Sequence, residues 1–420
     1  MATLVVSDSA ATLASGISTG THKRLQMFLD ALAENDQLEF LFYITAEGEC
    51  LEPVKEKLQR LLSERYGYPV GVELCQRRNR IRENRGWIDE LEGSWNFLDL
   101  IDYHAVSGPA QIYAFEQCLA KQPERLFIHR LSAMCPVLRS KSKLPPIYFD
   151  LDDVEHVAYF RSLSQPPHWR SKWLRYCSLP ALIWGERTAI AKAHATFVCS
   201  ETDRAYLARR LALDGIHVVP NTVAIPAYQA PAREPTVLFM GNYAYPPNAV
   251  AAEFLTERIW PKINAALPGA QLMIAGPAAE MIRTYSQKIP GVEYLGFVQD
   301  LNDLYARARV VVAPILSGAG TRLKIVEAAA YGRAIVSTRL GAEGLQFCDG
   351  RDILLRDDGN AFVDACVTLL RDYALCESMG MRARELASSE YDLRRTVSKI
   401  KTLIFSDSPE SAHEPRRVAV

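Results

Sequence analysis

The densest chemistry in the sequence lies between Ser317 and Glu327, read SGAGTRLKIVE. Ser317, Gly318 and Gly320 let a backbone bend tightly and approach a ligand closely. Thr321 is placed to cap a helix whose first turn holds Arg322, Leu323 and Lys324. Free N–H groups at such a helix start form an anion site. The dipole there disfavours cations, and a bound pyrophosphate would resolve the conflict that Arg322 and Lys324 create. Glu327 follows Lys324 at i+3, and its carboxylate could accept hydrogen bonds from two ribose hydroxyls. Leu323, Val326 and Ala330 make the apolar face, which turns Lys324 and Glu327 toward a cleft or solvent. A solvated Lys–Glu pair on an ordinary αβ unit is the other reading of the same pattern.

A second concentration is Asp150-Leu151-Asp152-Asp153-Val154-Glu155-His156, after the apolar run 146–151. Carboxylates at a strand's C-terminal end stand where parallel α/β folds place chemistry. They could ligate a divalent metal through oxygen, contact an acceptor, or cap the next helix through Asp152 or Asp153. His129 and Arg130 close another apolar run, 125–129. Arg77, Arg78, Arg80, Arg82 and Arg85 cluster before Trp87, either as a solvated face or as a contact for an anionic acceptor or lipid headgroup. Residues 157–193 interleave Arg161, His168, Trp169, Arg170, Lys172, Trp173, Arg175 and Tyr176. This pattern suits an interfacial segment or a partly buried helix with snorkelling cations.

The elements that must hold these residues form two αβ series. In the first half, apolar runs near 3–6, 38–44, 69–74, 125–129, 146–151, 195–200 and 217–219 read as strands separated by helical stretches. The loop 7–21 carries Gly16 and Gly20 and enters a helix bearing His22, Lys23 and Arg24 near its start. Residues 222–235 hold three prolines and no period, and read as a linker. Strands then recur near 236–240, 271–275, 292–295, 310–313 and 353–355, with one helix expected over about 248–266. Three of these strands end in Gly241, Gly276 and Gly296. Glycines gathered at one sheet edge favour close approach by an elongated ligand.

Composition bounds the possibilities. The 420 residues, 49% hydrophobic and 23% charged, are enough for two domains with sizeable cores. With 48 basic against 49 acidic residues the net charge is −1, which argues against nucleic acid as the main partner. Nine cysteines occur without a CxxC pair, an odd count that fits a reducing compartment and suggests neither a zinc site nor a disulfide framework. The N-terminus lacks a basic n-region and no apolar run reaches eighteen residues, so neither a signal peptide nor a spanning helix is expected. The expected location is the cytoplasm, with a peripheral contact on the inner face of the membrane left open.

Four segments together resemble the nucleotide-sugar-binding domain of retaining GT-B glycosyltransferases, family 4: FMGNYAYPPNAV (239–250), MIAGP (273–277), EYLGFVQDL (293–301) and GAGTRLKIVEAAAYGRAIVST (318–338). YFDLDDVEH, FVCSETDRAYL and VVPNTV in the first half resemble the same group more loosely. The resemblance implies an α/β protein of two Rossmann-like domains facing across a cleft. Residues 1–221 would bind the acceptor, 222–235 would link, and 236–390 would bind the donor. A helix at 391–405 would cross back, before a disordered tail at 406–420. It further implies transfer of a hexosyl-type sugar from a nucleoside-diphosphate sugar to the hydroxyl of a glycan, lipid-linked or small-molecule acceptor in glycan or polysaccharide biosynthesis. No metal or other cofactor is implied.

By that resemblance Glu327 holds the donor ribose, Gly320 and Thr321 lie under the diphosphate, and backbone N–H groups near Gly318 and Gly320 would recognise the sugar hydroxyls. Phe297 and Val298 flank the base, Gly241 and Gly276 border the donor, and Gly16 lies in the acceptor-side loop. Asp150, Asp152 or His129 would orient the acceptor. Three departures stand out. Ala319 replaces the family's first glutamate, the usual Arg/Lys pair after the first strand of the second domain is absent, and an acid near Asp150 or Asp152 replaces the acceptor-domain histidine. Arg322 and Lys324 would then carry the diphosphate. A non-catalytic nucleotide-sugar-binding scaffold and a sugar-nucleotide epimerase are the competing readings.

Overall fold

The computed structural model describes residues 1–9, 20–45, 51–77, 95–164, 172–318 and 320–406. Its first half holds strands β1 (Ala2–Ser7), β2 (Gln37–Ile44), β3 (Gly71–Gln76), β4 (Arg125–His129), β5 (Ile147–Asp152), β6 (Ala195–Val198) and β7 (Ile216–Val218). They form one parallel sheet in the order β3-β2-β1-β4-β5-β6-β7. The second half holds β8 (Thr236–Met240), β9 (Gln271–Ala275), β10 (Val292–Gly296), β11 (Val310–Ala313), β12 (Ala334–Ser337) and β13 (Leu354–Leu355), parallel in the order β10-β9-β8-β11-β12-β13.

Side-chain alternation explains how each sheet is buried on both faces. In the first sheet Leu4 and Val6 enter one core with Leu41, Tyr43 and Ile128, while Val5 enters the opposite core with Phe40, Phe42 and Phe127. In both sheets the strand order reverses beside the first strand of the series, at β1/β4 and at β8/β11. A crevice opens at the carboxyl ends of strands at such points, and ligands bind there.

The helices that matter for this crevice are α1 (Gly20–Ala33), α2 (Arg130–Arg139), α3 (Glu155–Leu163), α4 (Leu179–Lys192), α5 (Glu201–Leu211), α6 (Pro246–Phe254), α7 (Leu323–Ala330) and α8 (Leu393–Phe405). The segment expected as one helix over 248–266 is divided. After α6 comes a widened turn, Leu255–Ile259, and then a short helix, Trp260–Ala266. Pro261 has no N–H to donate back to residue 257, so the regular ladder cannot continue through it. The chain then returns to the first domain. At the crossing Val223 donates its N–H to the Tyr391 carbonyl at 3.1 Å and its carbonyl accepts the Leu393 N–H at 3.0 Å, and Ile400 and Ile404 of α8 enter the core beside Leu25 and Phe28. The Tyr148 hydroxyl donates to the Ile404 carbonyl at 3.0 Å, which ties α8 to β5.

Candidate active site

On the side of the first domain, the cleft floor is built on a buried ion pair. Arg24 of α1 and Asp150 of β5 are both fully enclosed, with side-chain exposures of 0%. Arg24 Nε donates to both Asp150 oxygens at 2.9 and 3.0 Å, and Nη2 donates to Oδ1 at 2.6 Å. Its Nη1 donates to the Val219 carbonyl at 2.7 Å. Burial pushes the Asp150 carboxyl up, against the pull of Arg24. His129 is equally enclosed, with Nδ1 3.1 Å from Ser7 Oγ and Nε2 3.8 Å from Asp150 Oδ2. Burial lowers its pKa to about 4, so it is neutral. Asp150 and His129 therefore do not reach the cleft. Asp150 pairs with Arg24, and neither side chain has exposed surface in this structure.

The carboxylates closer to the cleft are the next two in the chain. Asp152 stands at φ 65° and Arg130, at the neighbouring strand end, at φ 72°. Left-handed conformations of this kind cost energy in non-glycine residues and concentrate at functional sites. Asp152 Oδ1 lies 3.3 Å from Arg24 Nε and accepts the Cys199 thiol at 3.0 Å. Asp153 reaches across the cleft, where a Cβ placed on Gly320 would come within 2.4 Å of its Oδ2. Burial and the nearby Asp152 raise the Asp153 carboxyl to about 8. Neither residue caps α3. Val154 occupies that position without a side-chain bond, and Glu186 of α4 accepts the Glu155 N–H at 2.8 Å. Asp152, Asp153 and Cys199 do bring ligating atoms within 4.8 Å of one another. The Arg24 guanidinium beside Asp152 meets part of that charge.

In the second domain, four glycines line the sheet edge. Gly276 has φ 133°, and a Cβ there would lie 1.8 Å from the Gly241 carbonyl oxygen, so only glycine fits. Gly318 and Gly320 have φ of 95° and 82°. Helix α7 begins at Leu323, one residue later than the sequence suggests, and Arg322 is its cap residue. Thr321 has a different role from the expected cap: its hydroxyl accepts from Asn221 Nδ2 at 2.8 Å, a bond between the domains. Arg322 turns back and donates to the Ser317 carbonyl at 3.2 Å.

Lys324 enters the space under the end of β8. Its Nζ donates to Asn248 Oδ1 at 2.8 Å and sits 4.6 Å from the Phe239 ring centroid. A Cβ on Gly241 would lie 3.1 Å from that nitrogen. A cation thus stands at the first strand end of this domain, although the residues following that strand carry none. Burial, reinforced by Arg322 and opposed by Glu327, lowers the Lys324 pKa to about 7.

Glu327 is not on a solvent face, because every residue of α7 from Ile325 to Ala330 is buried. Its carboxylate pairs with Lys23 of α1, across the cleft. Phe297 is 62% exposed, and Val298 is partly buried against the core of this domain. Gly16 and Ala319 lie outside the described residues, as do Arg78, Arg80, Arg82, Arg85, His168, Trp169, Arg170 and the tail from 407.

Two cavities lie between the domains, and the smaller is lined by Asp153 and Gly320. One of about 370 Å³ lies among Lys23, Gln26, Thr222, Leu301, Glu327 and Tyr331. The other, of about 190 Å³, opens beside Thr321 between α3, α5 and the loop at Glu343. Arg161 and Glu343 span its rim with bonds of 2.5 and 2.7 Å. Sequence reasoning did not assign Lys23, Arg24, Asn248, Arg161 or Glu343 to the site. For Lys23 and Arg24 there was a signal: the first turn of α1 has cations and no acid, the same dipole conflict as at Arg322 and Lys324. For the others there was none, since each acquires its role from a partner at least 76 residues away.

This arrangement of two facing doubly wound domains is the GT-B fold of glycosyltransferases. Sucrose-phosphate synthase from Thermosynechococcus elongatus superposes with a TM-score of 0.69 at 16% identity, covering 97% of this chain and 100% of that one. Anabaena HepE, crystallised with UDP and glucose, gives 0.62 at 15% identity over 97% of this chain and 100% of that one.

Residues 234–372, which hold the glycine edge, Lys324 and Glu327, match the family described as Glycosyl transferases group 1. A phosphatidyl-myo-inositol mannosyltransferase of Mycolicibacterium smegmatis is 28% identical over 199 residues, 44% of this chain and 50% of that protein. An uncharacterised 44.6 kDa protein in the cps region of Klebsiella pneumoniae is 24% identical over 173 residues, 39% of this chain and 44% of that one. The matches span about half the length of these relatives. No described helix is long and apolar enough to cross a membrane.

Proposed function

We propose that the protein is a retaining glycosyltransferase that moves a sugar from a nucleoside-diphosphate sugar to an acceptor hydroxyl. The observation that carries this reading is Lys324 Nζ beneath Gly241, at the edge where the backbone is bare enough for a diphosphate to approach. As the glycosidic bond breaks, charge grows on the departing phosphate oxygen. Lys324, Arg322 and the N–H groups of Gly318 and Gly320 stabilise it, and one such donor typically contributes ~3 kcal/mol to lowering a barrier. Glu327 receives the ribose hydroxyls after its bond to Lys23 opens. Asp152 and Asp153 stand on the acceptor side, and Asp153, raised to about 8, holds a proton at neutral pH and can hydrogen-bond in either sense.

The test begins with thermal shift against UDP-, GDP-, ADP- and dTDP-sugars, because a ligand specific to the folded state raises the melting temperature by mass action. UDP-glucose is the first probe, given the ligands in the HepE crystals. NMR of the product with an acceptor supplied then reads the anomeric configuration. Released nucleoside diphosphate and a retained configuration support the proposal. Binding without turnover would indicate a scaffold, and an isomerised nucleotide sugar an epimerase.

A further inference from the structure

The cavity of about 190 Å³ beside Thr321 has a charge pattern that bears on what enters it. Its walls carry three carboxylates, Asp153, Asp203 and Glu343, against one guanidinium, Arg161. That guanidinium is committed, because Arg161 and Glu343 form a two-bond pair at 2.5 and 2.7 Å. Asp203 accepts from Ser200 Oγ at 2.6 Å, which leaves further acceptor capacity on the carboxylate. The remaining polar lining is hydroxyl, from Ser200, Thr202, Tyr206 and Thr321, and the apolar lining is Val154 and Val157 of the α3 segment.

We propose that this cavity is the acceptor site and that it takes an uncharged polyhydroxyl group, a pyranose ring, while excluding its phosphorylated or carboxylated counterparts. The proposal rests on the transferase reading for the word acceptor, but its ligand chemistry follows from the walls alone. Hydroxyl groups can donate to Asp203 and Asp153 and accept from the wall hydroxyls, and a ring's C–H face fits against Val154 and Val157. An anionic substituent would meet the Asp203 carboxylate, which has no cation partner in the cavity wall, and the one cation able to receive it, Arg161, is already paired with Glu343. Like charges brought together in a partly desolvated pocket repel strongly. The cavity also adjoins the right partner: Gly320 and Thr321 belong to the loop proposed to lie under the donor diphosphate, so a hydroxyl seated here stands beside the leaving group. The raised pKa of Asp153 adds support, since a protonated carboxyl beside Gly320 can share a hydrogen bond with that hydroxyl.

The test uses ligand-observed saturation-transfer NMR on the full chain in the presence of UDP. The probes are methyl gluco-, manno- and galactopyranosides together with their 6-phosphates and the corresponding uronates. At least one neutral pyranoside should bind, at least tenfold tighter than its charged counterparts. Val157→Phe, which fills the cavity, should abolish that binding while the UDP-induced rise in melting temperature persists, which also shows that the variant folds. Glu343→Gln releases Arg161 and should narrow the gap by improving binding of the 6-phosphates. Tighter binding of any phosphate or uronate by the wild type, or no binding of any neutral pyranoside, overturns the inference. So does a gap unchanged in Glu343→Gln. Sugar binding without release of nucleoside diphosphate in the donor assay would instead overturn the transferase reading and leave the ligand chemistry of the cavity standing.

Discussion

Lys324 makes donor affinity depend on pH, with a sign and a size that the structure sets. In the free protein its pKa is lowered to about 7, mainly by burial and further by Arg322, while Glu327 pulls the other way. A diphosphate placed beside the ammonium would return it toward the ordinary lysine value of about 10.4. Donor binding then takes up a proton above pH 7. Between pH 6 and pH 9 the apparent dissociation constant should rise roughly 90-fold, or about 2.7 kcal/mol at 1.36 kcal/mol per unit. The assay is calorimetric titration of UDP-glucose, or of whichever nucleotide sugar shifts the melting temperature most. Asp153, raised to about 8, ionises in the same window and adds repulsion of the same sign.

Lys324→Arg separates the two contributions, because arginine stays charged and any slope that remains belongs to Asp153. Without donor the dependence reverses. The folded pKa of Lys324 lies below its unfolded value of 10.5, so the unfolded chain binds more protons between about pH 7 and 10.5 and stability rises with pH through that window. A dissociation constant that stays flat from pH 6 to 9, or a slope unchanged in Lys324→Arg, would refute the placement of the diphosphate beside Lys324.

Three further outcomes are expected. Glu327→Gln should weaken binding of the nucleotide sugar at least tenfold, whereas Lys23→Ala, which frees Glu327, should leave it unchanged or tighter. Titration of both variants checks the pair, and equal losses would mean that Lys23 itself touches the donor. Arg24→Met leaves Asp150 buried without its partner and should cost about 3–5 kcal/mol in urea unfolding, part of which a second change, Asp150→Leu, should restore. Gly276→Ala should prevent the second domain from reaching its native state, seen as lost soluble yield or a collapsed melting transition. Gly20→Ala, with nothing within 4 Å, should be silent in the same measurement.

The sequence by itself determined the architecture and the glycine-lined edge of the second sheet. Runs such as Val310–Ala313 and Leu4–Val6 can be satisfied only in strands covered on both faces, and their alternation with helical stretches leaves a parallel sheet as the solution. The glycines at 241, 276, 318 and 320 were legible because a backbone at positive φ, or pressed against another strand end, admits no side chain. Arg322 and Lys324 were legible because cations at a helix start contradict the local dipole and call for an external anion.

Tertiary structure decided what each charged group faces. Asp150 and Asp152 are one residue apart from a common neighbour in sequence, yet one is sealed against Arg24 and the other stands near the cleft at φ 65°. Spacing turns Glu327 toward a cleft or solvent without deciding between them, and the packing of α1 against α7 decides it, burying the carboxylate against Lys23. The cation missing after β8 is supplied by Lys324, from a helix more than eighty residues later in the chain. Periodicity reports which side of an element is apolar. It carries no information about which distant element will cover the polar side, and electrostatics at that contact, summed over groups far apart in the chain, sets both burial and charge.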